Sequence, residues 1–259
     1  LGATLEEQIA GLLHDVSHTA FSHLTDWIYE NSSTEDGQDK NHVWYIQNSE
    51  LPEILERHGY SVERVCNHEL FGLLERDAPD LCADRVDYAL RESPQSVVDA
   101  CVDKLVQREG NMVFADQASA RVFGDAYKHL QDTSWASRDV RSRYRLMGYA
   151  LKIAIEEGII TRNDLWLTDE IVLEKLASST NKDIGKILSL LERPDLTDLP
   201  SMSEATHVKF RHVDPLFVDG DKLVRLSDAD PEFKSQLEAD RLKNEEGLYI
   251  ADVRAVLKG

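Results

Sequence analysis

Apolar residues recur at helical spacing over most of the chain. Ile9, Leu12, Leu13, Val16 and Ala20 keep a 3.6-residue period through the first segment. Thr19 and Ala20 then suggest a bend, and Phe21, Leu24 and Trp27 read as a following helix. Asn31 to Lys40 is polar and aperiodic, which reads as a mobile surface loop. Val43, Ile46, Leu51, Ile54 and Leu55 mark helical structure on both sides of Pro52. Gly59-Tyr60-Ser61 breaks it, and Ser61 has the character of a cap for the next helix. A helix is expected over Asp80–Ser93, ending at Ser93-Pro94. Leu105-Val106 and Met112-Val113-Phe114 flank Glu109-Gly110-Asn111 as a hairpin.

Helices follow over Ala118 to His129, Val140 to Glu157 with Gly158 as its stop, Thr168 to Ala177, and Lys182 to Glu192. The texture changes at Pro194–Pro200. Val208–Val213 alternates like a strand, and Leu216–Val218 meets Lys222–Leu226 across Asp219-Gly220 as a second hairpin. A charged helix over Pro231 to Asn244 and a short strand at Leu248–Ile250 complete a small α+β portion. The pattern predicts a mostly α protein with a helical core over 1–160, a helical extension and linker over 161–200, and a small α+β unit over 201–259.

Composition narrows the class. With 48 acidic against 29 basic residues, the formal net charge is −19. Nucleic acid is a disfavoured partner, because non-specific affinity for its backbone comes from clustered Lys and Arg. A small phosphorylated ligand stays compatible, since a metal and a few local arginines can reverse the potential inside a cleft. No apolar run approaches the roughly 20 residues that span a bilayer. The scattered Cys66, Cys82 and Cys101 suggest reduced thiols and a cytoplasmic setting.

Candidate chemistry concentrates in His14-Asp15-Val16-Ser17-His18-Thr19-Ala20-Phe21-Ser22-His23. On a helix, His14 and His18 share a face at i and i+4, and Asp15 reaches His18 at i+3. Imidazole and carboxylate together suit a divalent ion such as Zn, Fe or Mn, while a hydrogen-bonded structural cluster is the alternative use of the same residues. In the second informative stretch, Asp84, Asp87, Tyr88 and Arg91 form one polar helical stripe, which by itself reads as a solvated face with an Asp87–Arg91 ion pair. Arg138, Arg141, Arg143 and Arg145 cluster at a helix start, where they would bind phosphate or balance nearby carboxylates.

The segment His14–His23 resembles the signature of HD-domain metal-dependent phosphohydrolases, closest to the deoxynucleoside triphosphate triphosphohydrolase branch. Asp84-Arg85-Val86-Asp87-Tyr88 is similar to that family's second motif, D-[RK]-x-D-Y. The resemblance implies an HD-type helical bundle in which His14, Asp15 and Asp84 hold a divalent metal (Mn, Fe, Zn, Ni or Mg). It implies that His18 and His23 lie near phosphates and that Asp26 orients one of them. His42 matches the family's later helix-opening His, with Val43 where a Glu is usual, and His18 or His42 would be the general acid. Arg85 and Tyr88 would face the substrate, and Arg141 lies near a phosphate-contacting Arg of the family. Ser137 stands where many members carry a His.

The family's first metal-binding His should lie some tens of residues before His14. Thirteen residues precede His14 and none is His. Either a leading segment supplies it, as the non-Met start favours, or the ligand set is incomplete. The implied reaction is hydrolysis of a (deoxy)nucleoside triphosphate to nucleoside and triphosphate. The alternatives are a phosphomonoesterase or phosphodiesterase on another small nucleotide, or a metal-free nucleotide-binding regulatory module. A homo-oligomer is expected, as such helical enzymes often assemble.

Overall fold

The structure is a computed structural model and describes residues 1–28 and 37–258. In chain order the helices are α1 (Leu5–Leu13), α2 (Gly37–Gln47), α3 (Leu51–Arg57), α4 (Val62–Val65), α5 (Ala83–Glu92) and α6 (Gln95–Cys101), then α7 (Gln117–Leu130) and α8 (Arg138–Glu156). They continue with α9 (Asp169–Ala177), α10 (Lys182–Leu191), α11 (Leu226–Ala229), α12 (Pro231–Glu246) and α13 (Val253–Lys258). Strands β1 (Leu105–Arg108), β2 (Asn111–Phe114), β3 (Leu216–Asp219) and β4 (Lys222–Arg225) complete the chain. The fold is mostly α with a small α+β portion, as the pattern of apolar positions predicts.

Contacts group the chain into two compact units that interleave in sequence, unlike the sequential division at 160 and 200. Unit 1 takes residues 1–16, 42–134 and 210–243, and unit 2 takes 17–41, 135–209 and 244–259.

In unit 1, α1 starts at Thr4, whose hydroxyl accepts from the Glu7 amide. Its Ala10 and Leu13 pack with Ile46, Leu55, Val65, Phe71 and Leu74 into one buried cluster. Ser61 caps α4 as expected, accepting from the Arg64 amide. The first hairpin turns through Glu109 and Gly110, both at positive φ, with Leu105 opposite Phe114. The second hairpin does not stand apart in a C-terminal unit. Its strand β3 pairs in parallel with β2 at Phe114–Phe217, so both hairpins make one four-stranded sheet in the order β1-β2-β3-β4. Arg225 fixes the second hairpin by pairing with Asp80 and donating to the Asp214 carbonyl at 2.7 Å.

Three local expectations change. Most of the polar loop expected at 31–40 lies outside the described residues, but 37–40 already belong to α2. Val208–Val213 joins no strand, because alternation marks two faces of a chain without supplying a partner. Leu248–Ile250 makes no continuous strand either. Isolated bridges form at Thr206–Leu248 and Ser201–Ala251, and α13 follows.

Unit 2 is organised on α8, which is capped by Ser137 and stopped before Gly158 at φ 72°. Leu146, Ala150, Leu151 and Ala154 of α8 pack with Ile184 and Ile187 of α10, Val172 and Leu176 of α9, and Val253 and Val256 of α13. Arg138 donates to the carbonyls of Thr197, Leu199 and Tyr249 and to the Ser201 hydroxyl. Arg143 pairs with Asp139 at 2.7 Å and donates to the carbonyls of Leu191 and Arg193. Two of the four clustered arginines therefore close the end of α10 and the segment after it.

Close approach to α8 depends on Gly148. A Cβ there would lie 2.8 Å from Trp27 Cβ, an atom fixed by its own backbone. Overpacking of this kind costs about 1–3 kcal/mol, against a helix-propensity gain of about 1 kcal/mol for Gly to Ala. Gly148→Ala is therefore expected to destabilise, lowering the urea midpoint at unchanged m-value; a midpoint equal to or above wild type would show that Trp27 shifts freely.

Candidate metal centre

In unit 1, α1 ends at His14 and presents its ring to the start of α5. His14 Nδ1 lies 2.9 Å from the Gly11 carbonyl, an oxygen that can only accept, so Nδ1 carries the proton and donates. This leaves Nε2 as the ligating nitrogen. It sits 3.1 Å from Asp84 Oδ1 and 3.3 Å from Asp15 Oδ2. Asp84 is delivered by the first turn of α5, which the Ala83 amide anchors by donating to the Leu73 carbonyl at 2.7 Å. Side-chain exposures of 21% for His14, 31% for Asp84 and 56% for Asp15 leave the cluster half-open.

The three ligand atoms lie within 4.8 Å of one another. Ligands about 2.0–2.2 Å from an ion and roughly 90–110° apart lie roughly 2.9–3.6 Å from each other. The observed 3.1 and 3.3 Å fall in that range. The donor set of one imidazole and two carboxylates suits a divalent cation, and the Nδ1–carbonyl bond is the usual outer-shell support for a ligating histidine. In the metal-free arrangement the hydrogen bond to Asp84 is the largest influence on His14 and raises its pKa to about 9.

The other expected residues of unit 1 are His42, Arg85 and Tyr88. His42 is 4% exposed, and its ring lies 5.2 Å from that of His68, which is 6.5 Å from the His14 ring. Arg85 turns to the backbone, donating to the carbonyls of Asp80 at 2.5 Å and Arg76 at 3.0 Å. It thereby pins the turn that leads into α5. Tyr88 and Tyr127 share a 2.5 Å hydroxyl–hydroxyl bond, and burial pushes the Tyr88 phenol far up. Asp87 pairs with Arg91 at 2.6 Å, both well exposed, so that pair is a solvated surface feature.

His68 and Glu75 escape the sequence reading. His68 opens a 3-10 turn, His68–Leu70, where no periodicity marks it. Glu75 has its pKa raised by burial first and then by Asp84, with Arg85 3.9 Å away. A histidine two residues beyond a helix cap and an acid before a turn carry no local signal. Cys66, Cys82 and Cys101 form no disulfide, and burial raises all three thiols, Cys82 and Cys101 to about 11.

In unit 2, His18 and His23 meet edge to face at 5.1 Å, and Asp26 is 7% exposed. The helix expected from Phe21 is a 3-10 helix, Ser22–Trp27. Phe21 and Ser22 both take positive φ, 61° and 50°. Such non-glycine conformations cost about 1–3 kcal/mol each and persist only where surrounding contacts impose them. Here the Ala20 amide donates to the Leu165 carbonyl at 2.7 Å and the Phe21 amide to Asp169 at 2.8 Å. Arg141 is 2% exposed, with its guanidinium 5.4 Å above the Tyr144 ring.

This mostly helical fold is shared with a solved structure, a hypothetical protein from Aquifex aeolicus. That match has a TM-score of 0.61 at 18% identity and covers 89% of this chain and 73% of that one. In sequence, the chain is 35% identical over 260 positions to the uncharacterized protein YdhJ of Bacillus subtilis, covering 96% of this chain and 79% of YdhJ. The chain belongs to the YdhJ family. It is also 28% identical over 228 residues to the metal-dependent phosphohydrolase cns2 of Cordyceps militaris, covering 83% of this chain and 66% of that protein. No family model matches the chain. Among the described residues, no helix is long and apolar enough to cross a membrane.

A cation that takes His14 Nε2 must displace its proton below about pH 9. Apparent metal affinity should therefore rise with pH, by roughly tenfold per unit for one released proton, and level off above that value. Without metal the sign reverses. The raised pKa stabilises the fold fully below the ordinary imidazole range, and this contribution is lost as pH rises through about 9. Calorimetric metal titration in buffers of different ionisation enthalpy counts the proton; release of none would remove His14 from the ligand set.

Proposed function

We propose that the chain is an HD-type metal-dependent phosphohydrolase. The observation that carries the reading is His14 Nε2, held by the Gly11 carbonyl so that it faces both Asp84 and Asp15 at ligand spacing. The motif resemblance and the name of the Cordyceps militaris relative support it. A divalent ion held by His14, Asp15 and Asp84 would supply Lewis-acid stabilisation to a phosphoryl group and lower the pKa of a water. Arg85 keeps Asp84 in place through its bonds to the turn before α5. His42, buried beside His68, is proposed to protonate the leaving oxygen. His18, His23 and Arg141 are proposed to attend the phosphates, Asp26 to orient one of the two histidines, and Tyr88 to meet the sugar.

The substrate proposed is a small nucleotide, with a (deoxy)nucleoside triphosphate cleaved to nucleoside and triphosphate as the form that the resemblance favours. A net charge of −19 fits a small-molecule substrate better than a polymer of phosphates. A homo-oligomer is proposed as the working assembly.

Metal analysis of the purified protein should find about one divalent ion per chain. His14→Ala and Asp84→Asn should each lose that ion and lower nucleotide hydrolysis by roughly a hundredfold or more. Hydrolysis that continues undiminished in both variants would sink the metal mechanism.

A further inference from the structure

Arg145, the last of the four arginines at the start of α8, lines a cavity of about 330 Å³ within unit 2. Small-molecule sites commonly hold about 300–1,000 Å³. Arg145, Tyr149 and Lys152 stand at i, i+4 and i+7 on α8 and so share one face of that helix. Trp27 joins the lining where it approaches α8 at Gly148, and Asp252 and Arg254 join it at the entry to α13. These segments are tied together. The Ala251 amide donates to the buried Ser142 hydroxyl of α8 at 3.0 Å, and the Asp252 amide to the Pro200 carbonyl at 2.8 Å. The chain that enters α13 is thereby fixed against α8, and the cavity between them has walls held by their own backbones.

Among the described residues of the lining, three are cations and one is an acid. The acid is committed to the backbone, since Asp252 Oδ1 accepts from the Arg254 amide at 3.0 Å and the Ala255 amide at 3.1 Å. Arg145 and Arg254 carry planar donor forks suited to phosphate oxygens, and Lys152 adds a point charge. Arg145, Tyr149 and Lys152 are half-buried, where solvent screens charge less than it does on an open surface. Trp27 and Tyr149 supply aromatic area. In a chain of net charge −19 this positive lining is a local reversal of sign. None of these residues belongs to the two motifs, to the His14–His23 segment or to the groups proposed for hydrolysis.

We propose that this cavity is a second ligand site, separate from the metal centre, that takes a nucleoside phosphate. Arg145, Lys152 and Arg254 hold its phosphate oxygens, and Trp27 and Tyr149 pack against its ring system. The described lining contains no histidine and no cysteine, and its one carboxylate is occupied, so the site binds its ligand without transforming it. The proposal stands on the cavity alone and does not depend on the phosphohydrolase reading.

The test titrates the full chain calorimetrically with ADP and with adenosine, after a chelator has removed metal so that no hydrolysis consumes the probe. Wild type should bind ADP at least roughly tenfold more tightly than adenosine. Lys152→Gln and Arg254→Gln should each weaken ADP by roughly tenfold or more, and Lys152→Arg by less. Far-ultraviolet circular dichroism and thermal midpoints identify a variant that fails to fold; should Lys152→Gln do so, the exposed Arg254 decides the matter. His18→Ala, which lies outside the cavity, should leave ADP affinity in place. ADP binding that disappears in folded His18→Ala and persists at wild-type strength in both cavity variants would overturn the site and move the ligand to the histidine segment. Wild type that does not bind ADP overturns it as well. Binding lost in the cavity variants upholds the site whether or not the metal-loaded chain hydrolyses nucleotide, so the two readings stand or fall separately.

Discussion

One imidazole edge has to serve two carboxylates, and the arrangement of unit 1 follows from that demand. His14 closes α1, and Asp84 arrives 70 residues later on the first turn of α5. Two acids beside one nitrogen would repel each other and misorient the ring unless something fixed it. The Gly11 carbonyl supplies that constraint by accepting a hydrogen bond from Nδ1–H, and the Arg85 bonds to the preceding turn fix the other side. The cluster is costly to assemble without a cation, and this is why the proton on His14 is held so tightly in its absence. Glu75 nearby has its pKa raised by burial first and then by the Asp84 charge, with Arg85 opposing the shift.

Electrostatics explain why so acidic a chain can still be read as handling phosphates. Charge acts locally at ligand distance, while the sum over 48 acids and 29 bases governs solubility and long-range repulsion. The arginine cluster at the start of α8 shows how little a basic run reveals by itself. Arg138 and Arg143 direct their donors to main-chain carbonyls, where a planar five-donor group satisfies several oxygens at once. Arg141 lies over Tyr144. Whether such residues bind ligand or hold chain ends together is decided by which carbonyls lie within reach, and that is tertiary information.

The longer helices, both hairpins and the grouping of His14, Asp15 and Asp84 were legible because each rests on a local signal, whereas the short α6, α11 and α13 were not. Periodicity marks the helices, a turn pair marks each hairpin, and two short motifs mark the triad. The pairing of the two hairpins into one sheet was not, since Phe114 and Phe217 meet at a single parallel register across more than a hundred residues. His68 stayed hidden for a related reason. It becomes a neighbour of both His14 and His42 only when the turn after α4 is folded. Val208–Val213 shows the converse, a strong strand pattern that no strand among the described residues meets.

The left-handed pair Phe21–Ser22 joins these points. Neither residue suits positive φ, and the sequence around them reads as the start of an ordinary helix. Continuing an α-helix there would swing His23 and Asp26 to other faces. The strained conformation instead sets the His18 and His23 rings edge to face, and its cost is offset by bonds to Leu165 and Asp169, residues that no motif marks. Asp164, drawn down to about pKa 2 by Lys175 and then by the Thr161 amide, stays ionised at any pH where the protein would work and keeps that turn closed. The histidine segment is therefore only half of a device. Its geometry is imposed by a turn that follows α8, which is why a motif that identifies the histidines says nothing about the residues that face them.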